Sequence, residues 1–246
     1  MKRQNRISLF GLLLLLSAGL IAFTTIKKTD NDQILAYTVD PQKQDLQLYW
    51  KNDNDQPLKS IQNLKQYVEG KKLTLTFAMN GGMYMVDNSP LGLFIREQKV
   101  VTRINKRSGK GNFYLNPNGV FYITTEKKAE ICKTSSFKNN GNIKYATQSG
   151  PLLVIDGQIN SLFTKGSTNL NIRNGVGILP DNKLVFAMSK NEINFYDFAK
   201  YFQNLGCKNA LYLDGFVSRA YLPEKKWTQL DGDFGVIIAV TKKDKK

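Results

Sequence analysis

Histidine is absent from this 246-residue chain. That excludes Ser-His-Asp and Cys-His nucleophilic machinery, and it makes a zinc hydrolase centre very hard to assemble. Proton transfer must be run by Asp, Glu, Tyr, Lys or water. An oxygen-ligated calcium or magnesium ion stays compatible with the residues present, although no metal-ligand set is legible. Cysteine is scarce, with only Cys132 and Cys207. Outside the cytoplasm two cysteines can form one disulfide, but their spacing does not say whether they meet, and two buried thiols fit equally well.

Acidic residues are in deficit. Twenty Asp and Glu face 35 Lys and Arg, and of the formal net charge of +15 three units come from Lys2, Arg3 and Arg6. Such a balance suits anionic partners, among them phosphorylated glycans, lipid headgroups and nucleic acid. The lysines are scattered rather than interleaved with an aromatic stripe, so a nucleic-acid partner is not expected.

Long apolar runs are also lacking, apart from residues 7–26, which carry no charge, include five consecutive leucines and follow the basic start. Twenty residues at helical rise can cross a bilayer. The pattern is that of an export segment, either a cleaved signal peptide or a retained anchor. Small residues stand at Ala18, Gly19 and Ala22 without a clean cleavage site, which favours the anchor. The expected organisation is therefore residues 1–26 as signal or membrane anchor and residues 30–242 as one folded domain, exported to the periplasm or held at the outer face of the membrane.

What is present is mostly strand-like. Apolar runs at 34–39, 46–50, 73–79, 91–95, 100–104, 113–115, 120–123, 152–155, 158–159, 176–179, 184–188, 210–213 and 234–240 are separated by turn dipeptides such as Glu97-Gln98 and Asp156-Gly157. Helical spacing is confined to Leu58, Ile61, Leu64 and Val68, closed by Gly70, and to Phe195, Phe198, Ala199 and Phe202, closed by Gly206. Residues 127–142 are polar and fit neither pattern. The predicted fold is α+β, a single domain with a mixed, mostly antiparallel sheet core and two or three helices.

Three strand ends carry a polar residue beside glycine: Asn80-Gly81-Gly82, Arg173-Asn174-Gly175 and Asp214-Gly215. A buried strand that ends this way delivers a side chain to a cleft edge, and glycine lets backbone approach a ligand closely. Each alone is an ordinary turn.

In order, Asn80-Gly81-Gly82-Met83-Tyr84, Ser149-Gly150-Pro151-Leu152-Leu153, Ile172-Arg173-Asn174-Gly175-Val176-Gly177, and Leu205-Gly206-Cys207 leading into Tyr212-Leu213-Asp214-Gly215 resemble the phosphodiester glycosidase family. Its members include the lysosomal uncovering enzymes and bacterial proteins labelled as exopolysaccharide biosynthesis proteins. The resemblance spans about residues 73–240. It implies hydrolysis of the bond between a sugar anomeric carbon and a phosphodiester, hence a phosphorylated or phosphodiester-linked glycan as partner. One departure stands out: Phe216 and Val217 precede Ser218 where the family usually continues with glycines and a serine.

Glycosidic cleavage passes through an oxocarbenium-like state and uses carboxylates beside the anomeric carbon. The resemblance puts Asp214 in that role, as general base or charge stabiliser. A departing phosphate is already a good leaving group and gains most from a cation. Arginine meets phosphate oxygens in pairs, so Arg173 is the expected phosphate contact and Arg219 the next. Asn80, Gly81, Gly82, Asn174 and Ser218 complete the expected substrate-binding set, with Asn80 on a sugar hydroxyl and the glycines offering backbone donors. Asp87 and Glu192 are spare carboxylates that read as surface. A non-catalytic glycan-binding or exopolysaccharide-assembly domain on the same scaffold is the competing expectation. Oligomeric state is open.

Overall fold

The computed structural model describes residues 33–244. The export segment at 7–26 lies outside the described residues. Among the described residues no helix is long and apolar enough to cross a membrane.

Sixteen strands form three sheets, and every pairing is antiparallel. The first sheet runs, edge to edge, through Ile34–Val39, Leu184–Ser189, Asn174–Ile178, Ala210–Asp214, Leu152–Ile155 and Gln158–Ile159. The second runs through Trp227–Thr228, Ala220–Leu222, Leu73–Asn80, Ile237–Lys243 and Asp45–Tyr49. The third runs through Lys99–Thr102, Phe94–Arg96, Ile143–Ser149, Gly119–Thr124 and Ala129–Lys133.

Side chains alternate along a strand, and the first sheet is apolar on both faces for that reason. Leu184, Phe186 and Met188 point into the common core, while Val185 and Ala187 point outward under the helix Phe195–Asn204. That helix buries Phe195, Phe198, Ala199 and Phe202, and its start is capped by the Asn194 side chain, which accepts from the Asp197 amide. The second sheet is covered in the same way by the helix Ile61–Gly70, whose Ile61, Leu64 and Val68 pack on Leu75, Ile237 and Ala239.

The three sheets meet at one aromatic joint. Phe186 of the first sheet lies 5.4 Å from Phe77 of the second and 6.0 Å from Phe121 of the third, measured between ring centres. Edge and tilted contacts at these distances add to the burial itself.

The fold class predicted from the sequence holds, with two α-helices in the places expected. Three segments differ in detail. Of residues 113–115 the first two fall in a 3-10 turn, Asn112–Tyr114, and Leu115 follows it, so no strand forms there. Within 127–142 lies the edge strand Ala129–Lys133. The strand Ile143–Ser149 is central to its sheet yet has no apolar signature at its C-terminal end, because Thr147, Gln148 and Ser149 are buried polar residues. Cys132 and Cys207 are free thiols, one half-buried on the third sheet and one buried against Gly177 beside the helix of the first. Burial pushes them up to about 11 and about 12 respectively, so both stay protonated and unreactive.

Phe186→Ala empties the joint between the sheets. It should lower stability by about 3–5 kcal/mol in urea unfolding, with the native far-ultraviolet circular dichroism kept below the transition.

Candidate active site

Asn80, Asn174 and Asp214 each stand at the end of a strand and converge on one spot. Asn174 and Asp214 are register partners across a bulge in the first sheet. Asn80 closes the central strand of the second sheet. The Asn174 side chain ties the two sheets together. Its Nδ2 donates to the Asn80 carbonyl and to Asn80 Oδ1, both at 2.9 Å, and its Oδ1 accepts from the Asp214 amide at 2.8 Å. Both asparagines are fully buried.

This sets the Asn80 amide. Its Oδ1 is occupied by Asn174 and by the Arg219 backbone amide at 3.0 Å, so its Nδ2 faces Asp214 Oδ2 at 3.4 Å. The other carboxylate oxygen, Oδ1, accepts from the Gly215 amide at 2.7 Å. Desolvation outweighs these two bonds and pushes the Asp214 carboxyl up to about 6. No described cation forms an ion pair with it.

Asp214 is only half-buried because it lines a cleft of about 310 Å³. Its lining comes from Met83 and Tyr84, from Phe216 and Val217, and from the stretch Lys110, Gly111, Asn112 and Tyr114. Tyr84 keeps its proton, since burial and then the Asp214 charge raise its hydroxyl above the ordinary value. Phe216 is 88% exposed and stands at the mouth. Among the lining residues Asp214 is the sole carboxylate. No group of three or more Cys, Asp or Glu that could hold a metal ion occurs among the described residues.

The structure does not put Arg173 on the cleft. Arg173 precedes Asn174 in extended chain, so the two side chains point to opposite faces. Its guanidinium is fully buried over the Phe195 ring, 3.6 Å from the centroid. Nε donates to the Ile193 carbonyl, and Nη2 to the carbonyl and side chain of Asn169. Nη1 reaches the Tyr212 hydroxyl at 3.5 Å, and no described carboxylate balances the charge. Arg173 thus backs Tyr212, whose hydroxyl fills the place a side chain at Gly215 would need.

Other expected ligands hold the frame. Arg219 pairs its side chain with Asp231 at 2.9 Å and gives only its backbone to the asparagine cluster. Ser218 is buried, and its hydroxyl closes the turn after Asp214 on the Gly215 carbonyl at 2.6 Å. Gly81 donates its amide to Val236, and a side chain there would strike Ile238. A side chain at Gly82 would strike Thr147 Oγ1. Gly82 thus allows close packing on the third sheet, and Gly81 close approach to the neighbouring strand of the second. Lys110, Asn112 and Tyr114 were not foreseen; the signal for them was a glycine-flanked basic stretch, Lys106-Arg107-Ser108-Gly109-Lys110-Gly111.

A cleft whose one carboxylate stands at a strand end and is held from behind by asparagines of two other strands defines an enzyme-like site on an all-antiparallel scaffold. The model of the phosphodiester glycosidase family matches residues 74–236, and the chain belongs to that family. It is 37% identical over 190 residues to the uncharacterized protein YigE of Escherichia coli K12, covering 77% of this chain and 74% of that protein. In shape it resembles the zebrafish N-acetylglucosamine-1-phosphodiester alpha-N-acetylglucosaminidase catalytic domain, auto-inhibited by its pro-peptide, with TM-score 0.58, 16% identity, and coverage of 84% of this chain and 81% of that one. A putative exported protein of Burkholderia pseudomallei matches with TM-score 0.54 and 10% identity over 84% of this chain and 73% of its own.

Asn174→Leu keeps bulk but strands the Asn80 carbonyl and the Asp214 amide. It should cost about 2–4 kcal/mol in urea unfolding. Asp214 itself works against the fold at neutral pH. Its carboxyl is raised from 3.8 to about 6, so the folded state binds the extra proton. The contribution of Asp214 to stability is greatest below about 4 and is lost as pH rises through about 6. Asp214→Asn should remove that loss, worth about 3 kcal/mol, when thermal midpoints are compared across pH.

Proposed function

We propose that this chain is a hydrolase cleaving the bond between a sugar anomeric carbon and a phosphodiester in an envelope or extracellular glycan. Family membership supports the reaction class, and the zebrafish relative is by name an enzyme for a bond of this kind. The observation that carries the reading is a single cleft-lining carboxylate, Asp214, raised to about 6 and held from behind by the buried Asn80 and Asn174. A carboxylate tuned this way is ionised at neutral pH yet basic enough to take a proton.

In this reading Asp214 acts as general base or as the charge that stabilises the oxocarbenium-like state, held by the Gly215 amide and the Asn80 side chain. Lys110, which lines the same cleft, takes the phosphate role that Arg173 was expected to fill. Tyr84, protonated, donates a hydrogen bond to a sugar or phosphate oxygen. Phosphate leaves without strong acid assistance, so one carboxylate suffices. Exposure to such glycans follows from the export pattern of residues 1–26 and is part of the proposal. Phe216 favours a second reading: an exposed aromatic at a cleft mouth is a surface on which sugars stack, as in a non-catalytic glycan-binding domain.

With a sugar-1-phosphodiester substrate, kcat/KM should rise through pH about 6 to a plateau, and Asp214→Asn should lower kcat by about a thousandfold or more while binding persists. A wild-type protein that binds glycans but turns over no such substrate establishes the binding reading instead.

A further inference from the structure

Between Glu97 and Glu126 the chain has no acidic residue but five cations, Lys99, Arg103, Lys106, Arg107 and Lys110. All five are exposed, and none forms an ion pair with a described carboxylate. The other arginines of the described residues all have partners: Arg96 donates to the Lys51 carbonyl, Arg173 is buried on Phe195, and Arg219 pairs with Asp231. Arg103 and Arg107 therefore stand apart.

The loop that bears them is held in place at both ends. The Asn105 amide donates to Gln148 Oε1 at 2.8 Å, its carbonyl accepts from Gln148 Nε2 at 2.6 Å, and its side chain donates to the Leu91 carbonyl at 3.0 Å. At the other end Gly109 lies flat on the Tyr114 ring, where any side chain would collide, and Phe113 is buried. Between these anchors residues 106–111 are exposed, and the amides of Ser108, Gly109, Lys110 and Gly111 have no acceptor among the described residues. Fixed cations interspersed with free backbone N–H groups make an anion cradle. Lys110 joins it directly to the cleft of Asp214.

We propose that this loop is a second anion subsite which holds a neighbouring acidic group of the same substrate chain. The substrate class is then a glycan with repeating phosphodiesters, rather than an isolated sugar phosphodiester. The inference rests on the proposed cleft chemistry, and its test separates the two. Lys106→Gln with Arg107→Gln, both remote from Asp214 in sequence and fully at the surface, is compared with wild type on two substrates. One is a polymer of sugar-1-phosphodiester units, the other a single unit. The variant should raise KM for the polymer about tenfold, the order expected for two lost cations facing a polyanion, and should weaken the salt dependence of that KM. The single unit should be handled as by wild type. Equal effects on both substrates, or none on the polymer, overturn the proposal. If wild type turns over neither substrate, the cleft reading fails and the loop is judged on binding of inorganic polyphosphate. Binding at low salt that the variant lacks upholds it, and no binding overturns it. Loss of binding to phosphatidylglycerol vesicles with polyphosphate binding unchanged overturns it in favour of a membrane surface.

Discussion

One buried side-chain amide couples the two sheets that build the site. Asn174 donates twice to Asn80 and accepts from the Asp214 backbone, so that strand ends from separate sheets share a single hydrogen-bonded node. Everything nearer the cleft inherits its position from that node: the Asn80 amide is turned toward Asp214, and the backbone of Arg219 is drawn in behind. A polar group so deep is tolerated because its donors and acceptors are matched, and the same matching makes the arrangement unique.

Electrostatics in the site run on scarcity. Asp214 has no cation in contact, and Arg173 has no anion. The carboxyl is therefore raised by desolvation and the guanidinium is held by carbonyls and aromatic faces. Of these two uncompensated charges only Asp214 lines the cleft, while Arg173 stays buried behind Tyr212.

Much of this was legible in the sequence, and the failures have physical causes. The strand-then-glycine signals at Asn80, Asn174 and Asp214 located the cluster, because a buried strand must end where its polar residue finds a partner. Role was harder than place. Arg173 looked like a ligand since it abuts the motif, but alternation along the strand sends it to the helix side. Ser218, Gly81 and Gly82 read as contacts in the sequence; in the structure the Ser218 hydroxyl closes the turn after Asp214 and the two glycines lie close against Ile238 and Thr147. The strand Ile143–Ser149 escaped notice because its last three residues are buried yet polar, with Thr147 donating to the Gly81 carbonyl, Gln148 bracing Leu93 and Asn105, and Ser149 donating to the Leu213 carbonyl. Such residues carry no hydrophobic period to read.

The cleft draws its carboxylate from strand ends and its walls from connections: the turn at Tyr84, the stretch before Tyr114, and the Phe216-Val217 step. Inheritance of the two parts is accordingly separable. The strand ends are locked into the core through Asn80 and Asn174 and drift only at the expense of the whole molecule. The walls can lengthen, shorten or exchange bulky for small side chains with little consequence beneath. Phe216 and Val217 are such wall residues, so the rim can be reshaped by side-chain exchange while the strand ends that hold Asp214 stay as they are.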